Sequence, residues 1–228
     1  MCGRSYITYT DEELEMRYLQ QRKVELPKFK SSYNLAPTQL SPVVRNLKET
    51  IKIDLLRWGL VPAWAKTVKD AAKYSLINAR GEEILEKRTY KDAFLHRRCI
   101  VPLSGFYEWQ RLDQTKRPFA IHLKEDPIMS VAGVWEHWQS KETEETVDSF
   151  SILTIQANSL MEKIHARMPV ILDRKDEASW LDSENKNIAG LQKLIKPCPS
   201  EWLDAYEIST LVNSPRNNAK EILEPVSH

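Results

Sequence analysis

The feature that most constrains the fold is a block of β-rich runs in the middle of the chain with no helix between them. Segments 99–103, 106–111, 119–123, 128–135 and 147–155 read as five successive strands. Parallel neighbours need a long crossover, usually a helix, to return the chain to the same end of a sheet. Short links between consecutive strands favour hairpins instead, and therefore antiparallel pairing. The reading is an α+β fold: a single domain of mostly antiparallel curled sheets forming a barrel-like β core, with peripheral helices. At 228 residues the chain is long enough for one substantial core.

Other elements arrange themselves around that block. Thr10-Asp11-Glu12-Glu13 reads as a capping box opening a helix to about Gln21. Segments 43–47 and 51–57 form a hairpin around Lys48-Glu49. Segments 81–87 and 90–96 read as helical, and 158–164 as a short helix capped by Asn158 or Ser159. Segment 170–172 reads as a strand. Two acidic amphipathic helices are expected near 175–181 and 187–193, and a strand over 205–211. The charged stretch 140–146 reads as a hairpin tip.

Composition removes several function classes. There is no run of 18 apolar residues, so no membrane span is expected. The N-terminus lacks the charged-then-apolar pattern of a secretory signal, and a cytoplasmic protein is expected. Cys2, Cys99 and Cys198 are widely spaced with no C-x-x-C, and the five histidines form no i, i+4 pair. Neither a disulfide framework nor a metal site is expected, and no cofactor. Charge is uneven: residues 1–124 carry 23 Lys and Arg against 14 Asp and Glu, whereas residues 125–228 carry 10 against 18. That asymmetry is compatible with one basic face that neutralises phosphates, and equally with charges that mix after folding.

Several residues carry more chemistry than a plain core needs. Cys2 follows the initiator methionine, so trimming Met1 would leave a 1,2-aminothiol; the alternative is an inert thiol at an accidental position. Such an amine, with pKa about 8, condenses with an aldehyde, and the neighbouring thiol closes a five-membered ring. Asn78 and Arg80 stand two apart just before an expected helix, either as cap and surface cation or as an orienting amide and a phosphate ligand. Period-two alternation puts Phe106, Glu108 and Gln110 on one strand face, opposite Tyr107 and Trp109. A carboxylate sharing its face with an aromatic ring suits acid–base work if it is desolvated; an exposed, idle glutamate is the other reading. His165, two residues before Arg167, is either a structural histidine or a proton shuttle at an element junction. The turns 33–38 and 58–64 are rigid and aromatic-bearing, and one or two exposed tryptophans would stack unpaired bases.

Six motifs, Met1-Cys2-Gly3-Arg4, Tyr33-Asn34-x-Ala36-Pro37, Trp58-Gly59-x-x-Pro62-x-Trp64, Ile77-Asn78-Ala79-Arg80, Gly105-Phe106-Tyr107-Glu108-Trp109 and Ile164-His165-x-Arg167-x-Pro169, resemble in order those of the SRAP family. These are the SOS-response-associated peptidase-like proteins that shield abasic sites in DNA, and the tail from Val212 to Val226 is similar too. The resemblance implies a barrel-like β core and single-turnover capture of the ring-opened abasic aldehyde in single-stranded DNA, as a thiazolidine at Cys2. It assigns catalysis to Cys2, Asn78, Glu108 and His165. Phosphate contacts fall to Arg4, Arg80 and Arg167, and the DNA groove to Asn34, Pro37, Trp64, Met168 and Pro169. The expected partner is abasic single-stranded DNA bound by a monomer, nucleoid-associated when bound, with no membrane and no metal. Two other classes stay open: a thiol peptidase using Cys2 with His165, on Met1 or on other proteins, and a non-covalent single-strand binder with weak lyase activity.

Overall fold

The computed structural model describes residues 2–19, 26–48, 50–112 and 115–226. Its strands in chain order are β1 (Ser5–Ile7), β2 (Ser32–Leu35), β3 (Leu40–Leu47), β4 (Thr50–Trp58), β5 (Asn78–Arg80), β6 (Arg98–Leu103), β7 (Gly105–Leu112), β8 (Thr115–Leu123), β9 (Met129–Gln139), β10 (Thr146–Gln156), β11 (Arg167–Pro169) and β12 (Leu203–Glu207). Five short helices, α1 (Asp11–Tyr18), α2 (Val68–Ala72), α3 (Arg88–His96), α4 (Glu177–Leu181) and α5 (Ile188–Leu194), lie among them. The capping box is formed: Thr10 N–H donates to Glu13 Oε2 at 2.7 Å, and Glu13 N–H to Thr10 Oγ1 at 3.2 Å. The expected helix end at Gln21, and Glu49 of the β3–β4 turn, lie outside the described residues.

Strands β4, β3, β6, β9 and β10 pair in that order, and β10 returns to β4 to close a five-stranded barrel. A second sheet runs β12-β8-β7-β1-β2. Pairing is mostly antiparallel, as the hairpin connections require. The exceptions are two short parallel ladders on β10, with β4 at Ser149–Phe150 and with β5 at Ile152–Thr154. The barrel-like α+β core expected from the β block is therefore the one observed.

One large core runs between the two sheets. Trp58 stacks on Phe150 with centroids 6.3 Å apart, and Phe106 of β7 reaches the same core from the other sheet. Complete burial of side chains of this size stabilises by roughly 1.5–3 kcal/mol each. Tyr107 faces the other way, into a smaller cluster with Tyr6, Ile208, Val212 and Ile222. The C-terminal tail thus covers the outer face of the five-stranded sheet.

The structure corrects several expected elements. Segment 81–87 is not helical; only a 3₁₀ turn over Gly81–Glu83 forms, because Asn78–Arg80 is drawn into pairing with β10. Segment 158–164 shortens to a 3₁₀ turn at Met161–Lys163, with Asn158 Oδ1 accepting from Met161 N–H at 3.0 Å. The strand expected at 170–172 lies at Arg167–Pro169, and Ile171 makes only an isolated bridge to Val131. The strand expected over 205–211 is Leu203–Glu207, followed by a 3₁₀ turn at Thr210–Asn213.

Candidate active site

Pairing between β1 and β7 brings the N-terminal residues alongside β7 in the second sheet. Tyr107 N–H donates to Arg4 O at 2.9 Å, and Ser5 pairs with Phe106. A side chain at Gly105 would collide with the Tyr6 ring and with Ile121 O, so only glycine admits this approach. Residues 2–4 then run beside Tyr107 and Glu108. Cys2 is 2% exposed and Glu108 3%. Burial first, then the charge of Glu108 and a hydrogen bond to it, push the Cys2 thiol well above its ordinary range. The shift holds Cys2 as a thiol at neutral pH, facing Glu108.

Asn78 arrives from the other side. The parallel ladder pairs it with Ile152, and its Nδ2 donates to Cys2 O at 2.9 Å. Its Oδ1 is buried with no hydrogen-bond partner among the described residues, an acceptor available for a donor at the N-terminus. His165 leaves the 161–163 turn with its N–H on Met161 O at 2.7 Å. Its Nδ1 lies 3.0 Å from Arg167 N, from which it can accept, and 3.1 Å from Arg167 O, to which it can donate. The same Nδ1 lies 4.0 Å from Glu108 Oε1. The four residues singled out for chemistry, spread over 164 positions of sequence, therefore meet where the two sheets meet.

The residues singled out for DNA contact divide into two groups. Arg4 donates to Asn34 Oδ1 and to Val212 O, both at 2.7 Å, and buried Asn34 donates to Ser214 O at 3.0 Å and Asn217 O at 2.7 Å. This pair ties down the C-terminal tail, and burial lowers the Arg4 guanidinium pKa from its usual value. Arg167 forms a bidentate pair with Glu82, at 2.6 and 2.9 Å, and also donates to Thr154 O at 2.7 Å. Met168 and Pro169 are buried in β11, and Met168 Sδ accepts from Asn158 N–H at 3.4 Å. Neither is a surface residue. By contrast, the Arg80 side chain is 57% exposed and loosely bonded to Glu83 at 3.3 Å. Trp64 is 51% exposed, with Tyr74 edge-on to it at 5.2 Å. Half-buried Pro37 sits in the β2–β3 turn, where Thr38 takes φ 76°.

A cleft of ≈ 400 Å³ opens over Glu108 and His165, lined also by Trp109, Arg111, Lys116 and Asn213. Trp109 Nε1 donates to Asn213 Oδ1 at 2.7 Å, so the tail supplies one wall. Glu82, Tyr74 and Asn213 escape sequence reading. The available signal for Tyr74 was an aromatic residue in a polar stretch, and for Asn213 its place in the family-like tail; Glu82 carries none without its partner. Among the described residues no group of three His, Cys, Asp or Glu could hold a metal ion, and no helix is long and apolar enough to cross a membrane.

Comparison with known proteins gives the family of the chain. The chain is 39% identical over 226 residues to the abasic site processing protein YoqW of Bacillus subtilis (strain 168), covering 98% of this chain and 99% of that protein. It is 32% identical over 267 residues to the abasic site processing protein HMCES of Xenopus tropicalis, covering 99% of this chain and 78% of that one. A crystal structure of a protein from Bacteroides thetaiotaomicron superposes with a TM-score of 0.87 at 29% identity, covering 99% of this chain and all of that one. The family model for SOS response associated peptidase (SRAP) matches residues 1–215, and the chain belongs to that family.

Proposed function

We propose that this chain processes abasic sites by capturing their ring-opened aldehyde on Cys2, as a thiazolidine, in single-stranded DNA. The observation that carries the reading is the convergence of Cys2, Asn78 and Glu108, with His165 Nδ1 4.0 Å from the Glu108 carboxylate. Once Met1 is removed, the Cys2 amine stands beside the groups that its chemistry requires. His165 passes a proton to open the cyclic hemiacetal of the sugar. Glu108 takes a proton from the Cys2 ammonium, and the amine adds to the aldehyde carbon. The carbinolamine loses water with Glu108 as acid. The thiol sulfur then bonds to the same carbon while its proton moves to the nitrogen. The net change is one N–C bond, one S–C bond and one water released. The orphaned Asn78 Oδ1 supplies an acceptor that orients the amine.

Two further observations favour this reading. Trp64 and Tyr74 present exposed rings of the kind on which unpaired bases stack. The Cys2 thiol, held protonated by burial and by Glu108, suits ring closure after imine formation and does not suit the standing thiolate of a thiol peptidase. Autoremoval of Met1 remains compatible with the capture reading. The test is to mix Met1-free protein with a single-stranded oligonucleotide carrying one abasic site. A heat-stable conjugate is expected from the parent and none from Cys2→Ala; intact mass reads adduct and processing together. Absence of a conjugate from the parent overturns the proposal.

A further inference from the structure

The tip of the β7–β8 hairpin is chemically out of place for an ordinary surface. Its register sets Arg111 directly opposite Lys116. Like charges facing each other across an antiparallel pair destabilise it, so this arrangement works against the hairpin that carries it. Both residues are exposed. The adjacent Arg117 is neutralised by Glu207, with Nε 2.8 Å from Oε1. Among the described residues no carboxylate stands within ion-pair distance of Arg111 or Lys116. The pair also lines the ≈ 400 Å³ cleft that opens over Glu108 and His165.

The other cations near the site sharpen the point. Arg4 is spent on Asn34 and Val212 O, and Arg167 on Glu82 and Thr154. Of the three arginines that the family resemblance gives to phosphates, only Arg80 is mostly exposed. A polyanion entering this cleft also approaches the Glu108 carboxylate, which repels it, so positive charge is needed at the mouth. We infer that Arg111 and Lys116 together hold one backbone phosphate of the DNA strand whose abasic sugar reaches Glu108 and His165. Arg111 offers a planar fork for two phosphate oxygens and Lys116 a point charge, and a phosphate between them removes their mutual repulsion.

This inference rests on the capture reading for its ligand, and its test separates the two. Non-covalent binding of an abasic single-stranded oligonucleotide is measured with Cys2→Ala protein over a range of salt concentrations. Each phosphate neutralised on a single strand adds about 0.7 to the slope of log affinity against log salt. The double variant Arg111→Gln, Lys116→Gln is expected to lower that slope by about 0.7 and to weaken binding roughly tenfold at low salt. Arg111→Lys, which keeps the charge, is expected to keep most of the slope. A control of equal charge change, Lys52→Gln with Lys141→Gln on the barrel hairpins, is expected to leave it unaltered. The melting temperature of the double variant should equal or exceed that of the parent, because the repulsion is relieved; a fall would mark the pair as structural and overturn the inference. An unchanged slope, or an equal loss in the control, also overturns it. Conjugate formation by the Cys2-intact chain is scored in parallel. No conjugate with a lowered slope removes the capture chemistry and leaves the phosphate seat standing.

Discussion

The barrel of β3, β4, β6, β9 and β10 and the sheet of β12, β8, β7, β1 and β2 use similar strands and differ in their edges. The barrel closes on itself through β10, which pairs with β9 along most of its length and with β4 at Ser149–Phe150. Its packing is tight: a side chain added at Gly133 would sit 2.9 Å from Cys99 Sγ and 3.1 Å from Ser151 O. In the second sheet β1 is only three residues long, and its ladder with β7 covers Ser5 and Tyr6 alone. Past that point β7 continues as Glu108, Trp109, Gln110 and Arg111 beside the cleft. The chemistry sits where pairing stops. A closed ring supplies a fixed frame, while an interrupted ladder leaves room for a chain end and a substrate.

The sharpest way to break this division is to damage the frame. Phe150→Ala, at a fully buried ring stacked on Trp58, should cost about 3–5 kcal/mol in denaturant unfolding. A loss below 1 kcal/mol would show that the barrel is not the stabilising half. Glu108→Gln should do the reverse, lowering the rate of conjugate formation about 100-fold while the melting temperature holds or rises. If it melts the protein as Phe150→Ala does, frame and site are one unit and the comparison fails. Trp64→Ala removes an exposed ring and should weaken binding of single-stranded DNA about tenfold, read by fluorescence anisotropy. An equal loss on duplex DNA would mean that the ring acts by something other than stacking on unpaired bases.

How far the sequence could be read depended on the distance over which each residue finds its partner. The Thr10–Glu13 capping box and the strands from 98 to 156 are local patterns, and they were legible. Alternation along 105–112 was legible too, since Phe106 enters the main core and Tyr107 the outer cluster. Asn78 was not legible as a strand residue. Its ladder partner is Ile152, and a parallel pair leaves no turn between its members to announce it. Cys2, Asn78, Glu108 and His165 were legible as residue types in a known order, and the structure brings them together, whereas the engagements of Arg4 and Arg167 were harder to see. Both carry the right charge for phosphate, yet each is engaged by groups remote in sequence, Val212 O in one case and Glu82 in the other. The facing charges of Arg111 and Lys116 required a register that only the folded hairpin defines.

The meeting of residues 2, 78, 108 and 165 also has a consequence in time. A chain is made from its N-terminus, so Cys2 precedes His165, the last of the four, by 163 residues of synthesis. On the capture reading, the amine passes that interval outside its pocket, open to the enzymes that trim methionine and without the base and the proton shuttle that drive its reaction with aldehydes. On that reading the order of synthesis acts as a safety catch, arming the amine only once residue 165 has joined the fold.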